Sequence, residues 1–296
     1  MPPLLVIGPL HIAWYSLAMT GGLCAALAWL AWTDIERQRL AAERPHSHHH
    51  HVPGNRTLHD RFLRLAPGWP AALRRAVDDA LPLFLIGLAC GRVVFVLAQW
   101  PYFGEHPLQA LRPWEGGLSA HGALAGGLGL LAWRAQRRPG GWAIADRYTP
   151  PLLWLQTAAW LSCWCAGCAF GRPVDIVRWP GLAVFDWPDI YGVLLPRVPV
   201  QGLGVIISLA LLAGAWWFNQ RQGARGAPSA PGALAGAVLF LGALADAGLQ
   251  LLRADETWLW FGQRAALAAD LLFMALGAAC FVLAWRRRFA QKQLSC

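Results

Sequence analysis

The sequence predicts an all-α integral membrane protein: a bundle of about seven transmembrane helices, N-terminus outside and C-terminus cytosolic. Three observations predict it. Only 14% of the 296 residues are charged and 56% are hydrophobic, whereas a soluble domain carries about 25% charged residues. Seven separate stretches are apolar over the roughly 20 residues that a helix needs to cross a bilayer. Arg and Lys crowd into every second connection, as in loops retained on the cytosolic side.

The first span, Ile12–Trp32, precedes the first basic residue, Arg37. A secretory signal has its positive residues before the apolar core, so this segment reads as a retained helix. The connection 33–81 is the longest and most polar. It reads as a solvated cytosolic loop containing the tract Pro45-His46-Ser47-His48-His49-His50-His51-Val52, a composition that also suits metal. Its downstream part, Arg61–Leu65 through Ala71–Ala80, is expected to form a short interfacial helix. The remaining spans are Pro82–Trp100, Gly117–Trp133, Pro150–Phe170, Val200–Phe218, Gly232–Leu252 and Ala265–Trp285. Residues 1–296 thus form one membrane domain. Gly and Ala recur at short intervals in several spans, which lets helices approach closely in lipid.

Eighteen of the 25 Arg and Lys fall in connections one, three and five and in the C-terminal tail. Six fall in the other connections (Arg112; Arg172, Arg178, Arg197; Arg253, Arg264), and Arg92 lies inside span two. The net charge of +9 is therefore a topology signal and does not point to nucleic acid. The seven cysteines suggest no disulfide framework; small thiols are common in helix packing. Cys163, Cys165 and Cys168 contain a single Cys-x₂-Cys pair, too few ligands for a zinc site. Neither a metal nor a cofactor is expected.

Ionisable groups inside a bilayer are costly, so each needs a partner or a task. Arg92, His121, Asp246, Arg264 and Asp270 are such groups, with Gln250 and Arg253 following Asp246. Alternating the span directions puts His121, Gln250, Arg253 and Arg264 in the outer half, with Tyr15 and the three clustered cysteines. An unpaired Asp246 would cost at least about 2.5 kcal/mol. Arg92 and Arg264 are its expected cations, and the arrangement favoured here leaves Arg92 unpaired, facing Tyr15 and His121.

The segment Trp114-Glu115-Gly116-Gly117-Leu118-Ser119-Ala120-His121-Gly122 resembles the Gly-Gly-Leu-Ser-x-His-Gly segment of the bacterial prolipoprotein diacylglyceryl transferase family. Other pieces follow in the family's order: Ala13-Trp14-Tyr15-Ser16-Leu17, Gly91-Arg92-Val93-Val94-Phe95, Gly171-Arg172-Pro173, Pro196-Arg197-Val198-Pro199-Val200-Gln201, Leu251-Leu252-Arg253 and Gly262-Gln263. The resemblance implies an enzyme of the bacterial cytoplasmic (inner) membrane. Such an enzyme moves the diacylglyceryl group of phosphatidylglycerol onto the lipobox cysteine of a prolipoprotein, releasing glycerol phosphate. It implies His121 as base or proton carrier and Tyr15 as a nearby hydrogen-bond donor. Arg92 and Arg253 are implied phosphate partners, and Gly117, Gln250 and Gln263 complete the substrate-binding set. The sequence departs from the family pattern where an Arg falls on Trp160, an Asn on Cys163, an Arg and a Glu on Asp246 and Gln250, and a Tyr-Glu pair on Leu203-Gly204. A catalytically degenerate lipid-binding or interaction protein on the same fold is the alternative, and a transporter a third.

Overall fold

The computed structural model describes residues 4–7, 10–43, 69–113, 116–137, 141–179, 181, 188–225 and 230–294. Seven long helices carry the fold: α1 (Trp14–Glu43), α2 (Trp69–Ala98), α4 (Ala120–Gln136), α5 (Trp142–Ala166), α6 (Val200–Arg225), α7 (Ala233–Leu252) and α8 (Ala265–Leu294). A short helix α3 (Trp100–Glu105) and a 3₁₀ turn (Pro107–Leu111) follow α2. Two antiparallel hairpins complete the described elements. One pairs β1 (Leu4–Ile7) with β2 (Leu10–Ala13), and the other pairs β3 (Leu259–Trp260) with β4 (Gln263–Arg264).

Each predicted span falls largely within one of the long helices. Five of them (α1, α2, α6, α7 and α8) contain segments long and apolar enough to cross a membrane. Their apolar side chains face outward: Leu85, Val93 and Leu97 of α2, Ile206 of α6, and Leu271 and Leu272 of α8 are all more than half exposed. Water does not tolerate an apolar belt of that extent, and lipid does.

The helices run further than the hydropathy pattern alone suggested. Helix α1 continues to Glu43 and α2 begins at Trp69, so both ends of the segment expected as a polar loop are helical. Ala71–Ala80 is not a separate interfacial helix but the start of α2, which passes through Pro82. Tertiary packing explains the extension: Ala72 and Ala76 are fully buried against a cluster containing Leu30, Ala31 and Tyr148. The histidine tract lies outside the described residues.

Helix α5 is the hub and touches α1, α4, α6 and α7; α2 packs on α4, and α7 on α8. One end of the bundle is tied by charge. Arg147 of α5 meets Asp34 of α1 at 2.7 Å and Asp79 of α2 at 3.6 Å, and Arg134 of α4 donates to the Asp79 carbonyl at 3.1 Å. Asp146 accepts the N–H groups of Gly232 and Ala235, both at 2.8 Å. It thereby caps α7 from a different helix, satisfying donors that a helix start leaves open.

The opposite end is closed by short extended pieces. Helix α5 stops at Gly167, whose φ of 71° is left-handed. The Cys168 N–H bonds to the Cys163 carbonyl at 2.9 Å and the Gly167 N–H to the Trp164 carbonyl at 3.2 Å. This is a Schellman ending, which brings the residue after the glycine against the one five positions earlier. Here those residues are Cys163 and Cys168, and they form a disulfide. That corrects the expectation of no disulfide. A continuous helix would separate Cys163 from Cys168, but the helix ends between them.

Helices α7 and α8 pack backbone against backbone. A Cβ on Gly277 would lie 2.5 Å from the Phe240 nitrogen and 2.8 Å from the Gly236 carbonyl oxygen. Overpacking of this kind costs about 1–3 kcal/mol. Gly277→Ala should therefore lower the thermal midpoint, measured in detergent by intrinsic fluorescence. Gly127→Ala, which meets nothing within 4 Å, should not lower it. Equal midpoints for the two variants would contradict the close contact.

Candidate active site

The site begins where the chain enters α4. Gly116 and Gly117 have φ of 95° and 77°, a conformation that side-chain-bearing residues rarely adopt. A Cβ on Gly117 would also strike the Phe95 ring at 2.3 Å. The Ser119 hydroxyl caps α4, accepting the Gly122 N–H at 3.2 Å, while the Ser119 N–H reaches the Gly91 carbonyl of α2 at 3.0 Å. Glycines make the α2–α4 crossing close: a Cβ on Gly122 would lie 2.8 Å from Val94. His121, in the first turn of α4, is thereby directed at α7 and α8.

There it meets two carboxylates. His121 Nε2 lies 2.9 Å from Asp270 Oδ1 of α8 and 3.4 Å from Asp246 Oδ2 of α7. Gln250, one turn beyond Asp246, donates to the same Asp246 oxygen at 3.2 Å. The imidazole stacks in parallel on Phe273, with ring centroids 6.1 Å apart. Asp270 is 2% exposed, and its Oδ2 is buried without a hydrogen-bond partner.

Beyond the end of α7 lies a cationic rim. Arg253 holds Asp255 with two hydrogen bonds, at 2.8 and 2.5 Å, and Arg264 shares the same carboxylate at 2.8 Å. Two guanidinium groups on one carboxylate leave one positive charge in excess. Gly171–Pro173 runs through this rim. The Arg172 N–H bonds to the Leu252 carbonyl at 2.9 Å, and the Arg172 carbonyl accepts from Val198 at 3.0 Å. Gln201 donates to the Cys168 carbonyl at 2.8 Å. The buried Asp189 accepts the N–H groups of Tyr191 and Val193 and the Arg197 guanidinium. The short pieces that carry the resemblance are thus hydrogen-bonded to one another at this end.

Residues 57–283 match the prolipoprotein diacylglyceryl transferase family. The chain belongs to this family. The phosphatidylglycerol–prolipoprotein diacylglyceryl transferase of Mannheimia succiniciproducens is 27% identical over 304 residues, covering 98% of this chain and 95% of the relative. That of Bordetella parapertussis is 30% identical over 236 residues, covering 77% and 75%. That of Cupriavidus pinatubonensis is 28% identical over 239 residues, covering 77% and 72%. Relatives of this family match both before and after the polar connection, so the match is to the bundle as a whole.

The structure sorts the residues that the sequence singled out. His121 and Gln250 come together with Asp246 and Asp270. Arg92 is not unpaired: it donates to the carbonyls of Ala110 (2.9 Å), Gly116 (2.6 Å), Gly117 (2.9 Å) and Gln109 (2.5 Å), over the rings of Phe95 and Phe103. It holds the loop before α4 and neither pairs with Asp246 nor stands free beside His121. Arg264 does not partner Asp246 either; both it and Arg253 belong to Asp255. Tyr15 is exposed at the start of α1, where its carbonyl accepts from Ser162 at 2.9 Å. Among the described residues no hydrogen bond joins Tyr15 to His121. Gln263 sits in the second hairpin, opposite Trp260. Asp246 and Asp270 were visible as membrane-embedded acids, but their meeting with His121 was not read. The available signal was depth. Asp270 is the sixth residue of α8, His121 the second of α4, and Asp246 six residues before the end of α7.

Hydrogen bonds to charged groups contribute about 1.5–3 kcal/mol each. Arg92→Ala is therefore expected to speed amide hydrogen exchange across 109–118 by about tenfold or more, with Arg92→Lys intermediate. Unchanged exchange in Arg92→Ala would show that the guanidinium does not hold this loop.

Proposed function

We propose that this chain transfers the diacylglyceryl group of phosphatidylglycerol to the cysteine thiol of a prolipoprotein lipobox, at the outer face of the bacterial cytoplasmic membrane. The observation that carries the reading is His121, in the segment most like the family's, held 2.9 Å from a buried carboxylate and close to a cationic rim. The reaction needs a place for a thiol proton, because only the thiolate attacks well. It also needs positive charge where the phosphate leaves. The cluster of His121, Asp246 and Asp270 answers the first need. The rim of Arg253 and Arg264 answers the second, about 10 Å further along α7 at 1.5 Å per residue. A two-tailed donor keeps its tails in the bilayer while its headgroup enters at this level. The basic loops place the charged end of the bundle in the cytosol and the rim outside.

A lipid-binding protein without transfer is the second reading. One observation favours it: Trp160 occupies the space over Gly204, where a Cβ would meet the indole at 2.3 Å. An aromatic ring thus fills a place where the family pattern has polar groups.

The test is transfer from labelled phosphatidylglycerol to a lipobox peptide, alongside rescue of a cell depleted of its own transferase. The chain should transfer and rescue. His121→Ala should lower the rate at least about 100-fold, the lower end of the range for a residue that handles a proton. Retention of phosphatidylglycerol with no transfer would establish the second reading instead, and full activity in His121→Ala would remove the histidine from the chemistry.

A further inference from the structure

We propose that the β3–β4 hairpin is a membrane-inserting tip: Trp258–Phe261 lie in the outer leaflet, and the arginines at the hairpin's foot stand at the level of the lipid phosphates. This holds whether or not the chain transfers a diacylglyceryl group.

Leu259 pairs with Arg264 and Trp260 with Gln263. Phe261 and Gly262 are left as a two-residue loop, with φ of 51° and 75°. Both values are left-handed, as in a type I′ hairpin turn, where Asn-Gly and Asp-Gly are preferred. Gly262 suits its position. Phe261 does not, because a bulky residue at positive φ is strained. Its ring stacks on neighbouring Trp260, with centroids 5.5 Å apart, and Phe261 remains 90% exposed. Packing within the bundle therefore does not explain an aromatic residue at this turn. A surface outside the protein does.

Trp258, Leu259 and Trp260 are each more than half exposed. Successive strand residues point to opposite faces, so both faces of the ribbon are apolar. A groove on another protein would cover one face. A lipid leaflet covers both, and no charged residue lies between Thr257 and Gln263 to resist it. Exposed apolar patches mark contacts with protein or membrane, and the two-sided exposure selects the membrane.

Location agrees with this choice. The hairpin joins the end of α7, at Leu252, to the start of α8, at Ala265. Both helices are long and apolar enough to cross a bilayer, and the basic loops put these two ends outside. Phe261 is nine residues past α7 and four before α8, so the tip stays close to the membrane surface, where Trp is enriched. The Ala265 N–H donates to the Trp258 carbonyl at 3.0 Å, which fixes the ribbon to the first turn of α8.

Charge is ordered along the hairpin as well. At its foot Arg253 and Arg264 hold Asp255. Glu256 is the next residue, and the charge of Arg172 reaches Arg264. Three arginines against two acids leave one positive charge at the foot, while the tip is uncharged. Guanidinium groups at phosphate level, indoles beside them and a phenyl ring beyond match the succession of layers in a leaflet. Insertion of the tip holds the cationic rim against the headgroups.

The test places the photo-cross-linking residue p-benzoylphenylalanine at position 259 of the full chain, reconstituted in nanodiscs of phosphatidylethanolamine and phosphatidylglycerol. After irradiation, mass spectrometry of the digested protein identifies what is attached at this position. Phospholipid adducts are expected. In Phe261→Asn they should fall about tenfold, because one large apolar side chain no longer favours insertion. Asn suits a left-handed turn position better than Phe, so the thermal midpoint of this variant in detergent should not fall. Attachment to protein with no lipid adduct would assign the hairpin to a second copy or another protein and overturn the insertion. So would equal lipid adducts with and without Phe261, or no adduct at all. The first measurement is made on the chain with Phe261 in place, so it decides the matter even where the variant fails to fold.

Discussion

One imidazole held between two carboxylates, inside the apolar part of the bundle, is the constraint on which the rest of this structure depends. Charged groups at such a depth are costly unless they face each other or a polar cavity. His121, Asp246 and Asp270 come from α4, α7 and α8, so no single helix can provide the compensation. The packing around them reads as a means of bringing three helix faces to one point. The glycine contact between α7 and α8 brings the two acid-bearing helices together. The glycine crossing of α2 and α4, the Ser119 cap and the Arg92 clasp set the height and direction of the histidine.

Charge is handled differently at the two ends of the bundle. Around Arg147 it is paired between helices: Arg147 of α5 meets Asp34 of α1 and Asp79 of α2, while Asp146 caps α7. At the other end it is left unequal: two arginines share Asp255, and two acids share His121. A structural end and the end proposed to carry the reaction are distinguished in this way. The disulfide between Cys163 and Cys168 locks the turn after α5, from which Gly171–Pro173 leads into the cationic rim. Trp160 and Gly204 show the complementary change. Where the family pattern places an Arg and a Glu, this chain packs an indole against a bare backbone. Replacing buried polar groups by matched apolar surfaces is often neutral or favourable for stability, so the fold absorbs the change.

Much of the fold was legible because the bilayer imposes a length and a polarity that hydropathy reads directly. Every predicted span lies largely on a helix. The ends were not legible, because Ala72 and Ala76 are helical through contact with Leu30 and Ala31, and periodicity does not reveal that contact. His121 and Gln250 were legible from their pattern as candidate site residues, and the structure brings them to one cluster. Asp270 was only a membrane-embedded acid until α8 was placed beside α4. Arg92 was misread for the opposite reason. An arginine ten residues into a span looks unpaired in sequence, but the carbonyls of the loop before α4 fold back onto it. The disulfide was missed because helical spacing was extended past Gly167, where the chain turns left-handed. In each case what the sequence lacked was a contact between distant segments or a change of backbone conformation.

On the proposed reading His121 and Asp270 act as one unit in the transfer reaction. A double-mutant cycle on the transfer rate tests it most directly, using His121→Ala, Asp270→Asn and the pair. Groups that share one interaction show coupling energies of about 0.5–3 kcal/mol. The double variant should be scarcely slower than His121→Ala alone, giving coupling at the upper end of that range. Losses that simply multiply would mean that the two residues act independently, and would contradict it.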